Sequence, residues 1–484
     1  MWTLPAGKWN ASFNLRTLLG GRLSLNRDKN ATLRPPDELA PNSDPLAASW
    51  DTQPTRGLVL RGGFWAVLGF GLGQALRVVS NLVLANLIVP EAFGLMALVN
   101  VFLAGLQMFS DIGVGPCIIH NPHGDEKRFL NTAFSVQILR GILLFTLSCL
   151  AAYPFAVYYD ESALMKLIPM AAFTVLISGF DSTSIWTLTR HIQQGKVTAL
   201  GFLSDLVSVV VSIGWALYHP TVWALVVGVL ARAAVQAATS HFLLPEKNRP
   251  DWEWSFLKDL YGYGKMIFLS TATFFLADRV ESLVLGKFVT MAQLGVFSIA
   301  RLLATFPSMA VMQVNNRVLF PTIAKSLRID RNRAMRQYAK ARFLLALLGV
   351  SMAAVVIFGG KWIVGSLLPE KYADAGWMIP ILAVLGVFNV AGSTMVSLLM
   401  ADARLGYAPI ANLGRFSFIA VGLWGALNFY DFKAAIWIIS LSPFLAYVVY
   451  MWGLRRHFRE AFRTELLIGS ALTLAIGFCL SVVM

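Results

Sequence analysis

The chain has 484 residues, 57% of them hydrophobic and only 14% charged, with a mean hydropathy of +0.63 and a formal net charge of +14. That balance excludes an ordinary soluble domain. The scattered Cys117, Cys149 and Cys479, all inside apolar stretches, exclude a disulfide framework and a zinc site.

Residues 1–56 read as a cytoplasmic tail. Positions 1–27 contain no acid and several Lys, Arg and aromatics, as in a basic segment lying on a membrane surface or in a plain extension. Pro35-Pro36, Pro41, Pro45 and Pro54 then make a linker, and no signal-type apolar core precedes Leu58. Thirteen long apolar stretches follow, at 64–89, 94–119, 132–158, 163–188, 197–218, 221–243, 265–289, 293–319, 342–366, 377–400, 409–429, 433–453 and 466–484. Each is of the length, roughly 20 residues or more, that carries a helix across a hydrocarbon core about 30 Å thick. The fold class is therefore an all-α polytopic membrane protein.

Most of the 40 Lys and Arg fall in the tail and in the even-numbered gaps between these stretches. The odd-numbered gaps hold only Lys287, Lys361, Lys371 and Lys433. Basic residues are retained on the cytoplasmic side, so the tail and even gaps face inward, in the plasma (inner) membrane. The richest basic stretch, Arg317 to Arg342, lies against the inner leaflet, and attraction to membrane lipid explains it without any nucleic acid. The set His120, His123, Asp125 and Glu126 has ligand-like types but sits in a short turn, where a solvated loop is the simpler reading.

An internal repeat organises the chain. Leu82-Val83-Leu84 recurs as Leu283-Val284-Leu285 at an offset of 201, and Gly94 falls on Gly295 at the same offset. Six helices per half give two parallel lobes related by an axis along the membrane normal. The expected division is a tail (1–56), a six-helix lobe (57–244), an inward linker (245–264), a second six-helix lobe (265–454) and a basic segment with one extra helix (455–484). No gap is long enough for a catalytic domain. The chain has no G-x-x-x-x-G-K-[ST], H-E-x-x-H or G-x-S-x-G, so it is read as no enzyme and as needing no cofactor.

Function must then lie inside the bundle. Arg77, Arg140, Arg232, Asp278, Arg279, Glu281, Arg301 and Arg415 fall within spans, and Asp111, Asp181 and Asp205 fall near their inner ends. Such residues usually face a cavity or a partner. Gln74, Arg77 and Asn81 form one polar stripe; Arg301, Thr305 and Ser308 form a second; Asn389, Ser393 and Ser397 form a third. Arg77 and Asp278 are equivalent by the repeat. For any one residue, an ion pair gluing the lobes is an equal alternative. For the set, a polar central cavity is favoured, because Arg outnumbers acid near midplane. The candidate cargo-binding residues are Arg77, Arg232, Arg279 and Arg301, with Gln74, Asn81 and Asn389. A cationic cavity suits phosphate or carboxylate cargo. Asp278 and Glu281 are the candidates for coupling to H⁺ or Na⁺, the alternative being fixed pairs with Arg279 or Arg301.

The run from Arg61-Gly-Gly-Phe-Trp65 through Gln74 to Leu87-Ile-Val-Pro-Glu-Ala-Phe-Gly-Leu95, then Asp111-Ile-Gly-Val-Gly115, resembles the opening of the polysaccharide transporter family. Gly262-Tyr-Gly-Lys265, Leu294-Gly-Val-Phe-Ser-Ile-Ala-Arg301, Pro307 and Phe320-Pro321 continue the likeness, which covers about 58–460. That family belongs to the multidrug/oligosaccharidyl-lipid/polysaccharide flippase superfamily. The resemblance implies alternating access by two six-helix lobes and a polyprenyl-pyrophosphate-linked glycan as cargo. Exopolysaccharide, capsule or O-antigen would be the product, with polymerase or export machinery as further partners. A multidrug or cation antiporter of the same superfamily is the alternative. One extra helix where the family often has two, and the long basic tail, are departures.

Overall fold

The computed structural model describes residues 56–110, 113–191, 193–243 and 248–483, so the expected tail and Asp111 lie outside the described residues. One lobe comprises α1 (Arg56–Leu87), α2 (Pro90–Phe109), α3 (Val114–His120), α4 (Lys127–Tyr159), α5 (Leu164–Ser178), α6 (Ser184–Arg190), α7 (Gln194–Tyr218) and α8 (Trp223–Ser240). The other comprises α9 (Trp254–Phe288), α10 (Met291–Val314), α11 (Phe320–Ile329), α12 (Arg331–Leu367), α13 (Ala375–Ala401), α14 (Tyr407–Phe429) and α15 (Phe432–His457). A last helix, α16 (Arg459–Val483), packs against α12 and α15. Below, the inner face is the side of the 240–254 and 329–331 connections and the outer face is the opposite one.

Ten of the described helices are long and apolar enough to cross a membrane, and the chain is a multi-pass membrane protein. The other three expected spans are helical but fall short of that measure for visible reasons. Helix α5 has only 15 residues. The 35-residue α9 carries Asp278, Arg279, Glu281 and Lys287. In α16 the run of described side chains ends at Ser470, and the turns before it carry Arg459, Glu460, Arg463 and Glu465.

The packing repeats between the lobes. In the first, α1 packs on α7, α7 on α8, α8 on α5, α5 on α4, and α2 on α5. In the second, α9 packs on α14, α14 on α15, α15 on α13, α13 on α12, and α10 on α13. Between them α2 crosses α10, and the contact of α2 with α9 is matched by that of α10 with α1. The 201-residue offset carries α1, α2 and α4 onto α9, α10 and α12, and the later helices correspond in order at longer offsets.

The crossing of α2 and α10 is set by two glycines. A Cβ on Gly94 would overlap the carbonyl oxygen of Met291, and a Cβ on Gly295 would overlap that of Pro90. Pro90 and Met291 are themselves one repeat apart, so the axis relating the lobes runs through this contact. Bilayer lipid is as apolar as the helices, so association depends on such close backbone approach.

Two expected spans are interrupted. The stretch 94–119 breaks at Gly113, whose φ of 65° suits a glycine, before α3. The stretch 163–188 breaks after Ser178. There the Ser182 N–H donates to Ser240 Oγ and the Thr183 N–H to Asn248 Oδ1, bonds that replace the helical ones. In the second lobe the place equivalent to Gly113 does not break. Residues Asn315–Leu319 instead form a π-helical turn that leads into α11. Apolar runs conceal these features; at the second break and at the π turn the bonds come from polar groups distant in sequence.

The connection between the lobes is fastened to the first. Asn248 bonds Ser182 and Thr183, the Arg249 N–H donates to Asn131 Oδ1, and the Asp251 N–H donates to Ser135 Oγ. Phe256, on the first turn of α9, meets Phe129 edge-on at 5.3 Å. The extra helix is fixed differently. Glu465 of α16 accepts from Arg342 Nε at 2.7 Å, from Arg342 Nη2 at 3.0 Å and from the Tyr338 hydroxyl at 2.6 Å, with all three side chains fully buried. Breaking such a buried pair from one side typically costs about 3–5 kcal/mol, so α16 belongs to the second lobe's structure.

Gly94→Ala and Gly295→Ala are each expected to lower the melting temperature of the purified protein, at a cost of about 1–3 kcal/mol from overpacking. Gly71→Ala and Gly214→Ala, whose new methyl groups would meet nothing within 4 Å, are expected to leave it unchanged or raised. Equal melting curves for all four variants would remove the crossing from its central place.

Candidate functional site

Charged side chains of both lobes converge between them. In the first lobe Arg232 of α8 holds Asp205 of α7 at 2.5 Å. In the second, Asp278 of α9 is shared between Arg279 at 3.1 Å and Arg301 of α10 at 3.5 Å, and Arg301 also contacts the fully buried Glu281. Arg415 of α14 donates to Ser442 Oγ at 3.1 Å. Arg77 of α1 is exposed, and its strongest charged neighbours are Arg279 of the opposite lobe, then Arg232 and Asp205 of its own. Among the described residues no carboxylate lies within ion-pair distance of Arg77.

These five arginines face three acids, Asp205, Asp278 and Glu281. Pairing Arg232 with Asp205, and Arg279 and Arg301 with Asp278 and Glu281, leaves Arg77 and Arg415 as the surplus. The four expected cargo arginines are thus divided: Arg232 and Arg301 are held by acids, Arg279 is half-exposed beside Asp278, and Arg77 has no acid. Asp278 and Glu281 are taken by Arg301 of their own lobe, so the pair between Arg77 and these acids that would glue the lobes is not formed. Asp205 neutralises an arginine of the neighbouring helix. Asp278 and Glu281 both sit in the fixed pairs that stood as the alternative to coupling. Arg415 and Asp205, visible in the sequence as intramembrane charges, join the site although no stripe singled them out.

The polar stripes separate on inspection. Gln74 of α1 reaches Met309 Sδ of α10 at 3.8 Å, and Asn81 donates to the Arg77 carbonyl at 2.8 Å, so the first stripe lies between the lobes. Asn389 is half-buried. Its stripe-mates Ser393 and Ser397 are buried and serve packing within the lobe: Asn315, in the π turn, donates to the Ser393 carbonyl and to Ser397 Oγ. Thr305 and Ser308 are buried and bond carbonyls of their own helix. In the second and third stripes the buried members, Thr305, Ser308, Ser393 and Ser397, are spent on packing and hydrogen bonds within the lobe. The histidine and acid turn is likewise structural, with Asp125 bound to Arg190 at 3.0 Å and His191 at 2.9 Å.

At the outer face the lobes are clasped by repeat-related residues. Asn86, at the end of α1, donates to the Leu367 carbonyl at the end of α12 at 3.0 Å. Its counterpart one repeat later, Lys287 at the end of α9, donates to the Tyr158 carbonyl at the end of α4 and to Asp160, both at 2.7 Å. Lys371 adds a bond to the Ile88 carbonyl at 2.7 Å, and Tyr159 one to the Leu283 carbonyl at 3.1 Å. Next to this clasp, burial and the charge of Asp160 raise the pKa of the Glu161 carboxyl above its ordinary value. The charged groups between the lobes are therefore closed off on the outer side.

This architecture and site can be placed among known proteins. A profile described as polysaccharide biosynthesis protein matches residues 83–376. The teichuronic acid biosynthesis protein TuaB of Bacillus subtilis (strain 168) is 22% identical over 391 residues, covering 78% of this chain and 79% of its own. The lipopolysaccharide biosynthesis protein WzxC of Escherichia coli (strain K12) is 23% identical over 364 residues, covering 72% and 70%. In fold, the chain is similar to the lipid II flippase MurJ in an inward closed conformation, with a TM-score of 0.65, 11% identity and coverage of 84% and 91%. It is also similar to an inward-facing multidrug resistance MATE family transporter of the MOP superfamily, with a TM-score of 0.60, 13% identity and coverage of 84% and 99%.

A cysteine placed at Asn81 in a cysteine-free background reports outer opening through its reaction with a membrane-impermeant thiol reagent. Adding Lys287→Met and Lys371→Met is expected to raise the rate from the outer side about tenfold, since each lost bond is worth about 0.5–1.5 kcal/mol. An unchanged rate would mean that the clasps do not hold the closure.

Proposed function

The chain belongs to the polysaccharide biosynthesis protein family, and on that premise we propose that it is a flippase. It carries a polyprenyl-pyrophosphate-linked oligosaccharide from the inner to the outer leaflet for assembly of exopolysaccharide, capsule or O-antigen. One observation carries this reading: Arg77, without an acidic partner among the described residues, faces Arg279 and Arg232 in the space between two lobes closed at the outer face. Cations crowded together in a low-dielectric site repel one another, and a diphosphate relieves that repulsion. Guanidinium forks match phosphate oxygens in pairs, which a lysine does not do.

In this mechanism the inner face is cytoplasmic, as the basic connections indicate, and the N-terminus lies on that side in the inner (plasma) membrane. The head group enters from the inner leaflet, with Arg77 and Arg279 on the phosphates and Gln74, Asn81 and Asn389 towards the sugars. The lobes then pivot about the glycine crossing, the outer clasps part, and the head group leaves while the lipid tail stays in the bilayer. A proton or Na⁺ taken up at Asp278 or Glu281 would loosen the Arg301 network and couple the turn to an ion gradient. A polymerase or export complex would receive the product. The likeness to multidrug transporters is one of fold, and the surplus of arginine over acid favours an anionic cargo over a cationic drug.

Deletion of the gene is expected to accumulate lipid-linked repeat units on the inner leaflet and abolish the surface polysaccharide. Normal polysaccharide with new sensitivity to cationic drugs would establish the antiporter instead. Arg77→Ala is expected to cut glycan export by roughly 10- to 100-fold at unchanged protein level, the worth of a charge-assisted hydrogen bond. Arg77→Lys should recover only part of it. Full export by Arg77→Ala would overturn the assignment of the site.

A further inference from the structure

The inner faces of the two lobes differ in electrostatic state. On the first, Arg190 is paired with Asp125 and Arg128 with Glu253, and the exposed Lys127, Lys196 and Arg249 stand apart on three separate elements. On the second, Arg333, Arg336 and Lys340 at the foot of α12 are exposed, as are Arg459 and Arg463 at the foot of α16. Among the described residues none of these five has a carboxylate within ion-pair distance; the nearby Asp330 side chain is occupied by capping the Asn332 N–H.

The two feet form one platform. Arg331 donates to the His457 carbonyl and lies 4.7 Å from the Phe458 ring, which ties the start of α12 to the chain entering α16. About three turns further along α12, the buried Arg342–Glu465 pair joins the same two helices. The depth of the platform is marked by its neighbours. Immediately beyond Lys340 come Phe343 and Leu344, exposed by 59% and 63%, and immediately beyond Arg463 come Leu466 and Leu467, exposed by 50% and 75%. Large apolar side chains bared to this degree on a membrane-spanning helix face lipid chains. A helix rises about 1.5 Å per residue, so the basic groups stand within about 5–10 Å of that apolar belt, at the level of phospholipid head groups.

We propose that the foot of α12 and α16 is a binding site for anionic phospholipid, distinct from the cargo site between the lobes. The phosphate of the lipid sits among Arg336, Lys340, Arg459 and Arg463, and its chains lie along Phe343, Leu344, Leu466 and Leu467. The charge supplies selectivity for anionic over zwitterionic head groups, and the exposed leucines and phenylalanine supply a surface that a soluble acidic protein would not match. The second lobe is thereby held against the inner leaflet. The proposal rests on the inner face being the cytoplasmic one.

Spin-labelled phosphatidylglycerol and phosphatidylcholine, compared on the full chain in phosphatidylcholine vesicles, test the site. The wild-type protein is expected to immobilise the anionic label preferentially. The variant carrying Arg336→Gln, Lys340→Gln, Arg459→Gln and Arg463→Gln should lose that preference by at least about fivefold, given the pull of each basic group on anionic lipid. A control of equal charge loss on the first lobe, with Lys127→Gln, Arg128→Gln, Lys196→Gln and Arg249→Gln, should keep it. Equal loss in both variants would reduce the effect to net charge, and retention in the first variant would overturn the site. A preference absent from the full chain that appears once residues 1–55 are removed would show that the tail, not lipid, occupies the platform. None of these readouts involves glycan transport, so the lipid site and the flippase reading fail separately.

Discussion

The close approach of α2 and α10 at Gly94 and Gly295 is the contact on which the other features depend. Each glycine faces the carbonyl of the other helix's first residue, Met291 or Pro90, and any side chain would push the two helices apart. Because the contact is reciprocal, it fixes the symmetry of the whole bundle. It brings the ends of α1 and α9 to where Asn86 and Lys287 can reach across to the opposite lobe. It also places the charged turns of α1, α9 and α10 on the inner side of a closed seam.

Below that seam electrostatics take over from packing. An ion in the hydrocarbon region is tolerated when it is paired or reaches water. Asp205, Asp278 and Glu281 are each held by arginine, so the acids are accounted for, and the excess charge is positive. Arg77 carries that excess at the surface where the lobes face one another. The pairing in the second lobe is a chain, Arg279 to Asp278 to Arg301 to Glu281, so a change of charge at one member alters the hold on the rest.

The helices, the repeat and the two lobes were legible in the sequence because hydrophobic length and the 201-residue offset are properties of the chain alone. The intramembrane charges were legible too, since a charge in an apolar run stands out wherever it points. Their partners were not. Arg77 and Arg301 carry the same side chain, and only the tertiary structure shows that Arg301 reaches the acids. Ser393 and Ser397 illustrate a second limit: a polar stripe at helical spacing looks the same whether it faces water or an asparagine on the next helix. The break after Ser178 was hidden because the bonds that replace the helical ones come from α8 and the connecting segment, distant in sequence.

The path of α9 has a mechanical meaning. Its first turn is stapled to the first lobe through Phe256 and the bonded segment before it, while its far half packs on α14 and carries Asp278, Arg279 and Glu281 in the second. A rod anchored in two bodies is a crank: when one body turns against the other, the rod must bend, slide or swing. In this protein the outer arm of the crank, clasped at its tip through Lys287, bears the charges that face Arg77. Any turn of the lobes that parted this clasp would change the electric field at the centre of the molecule in the same stroke.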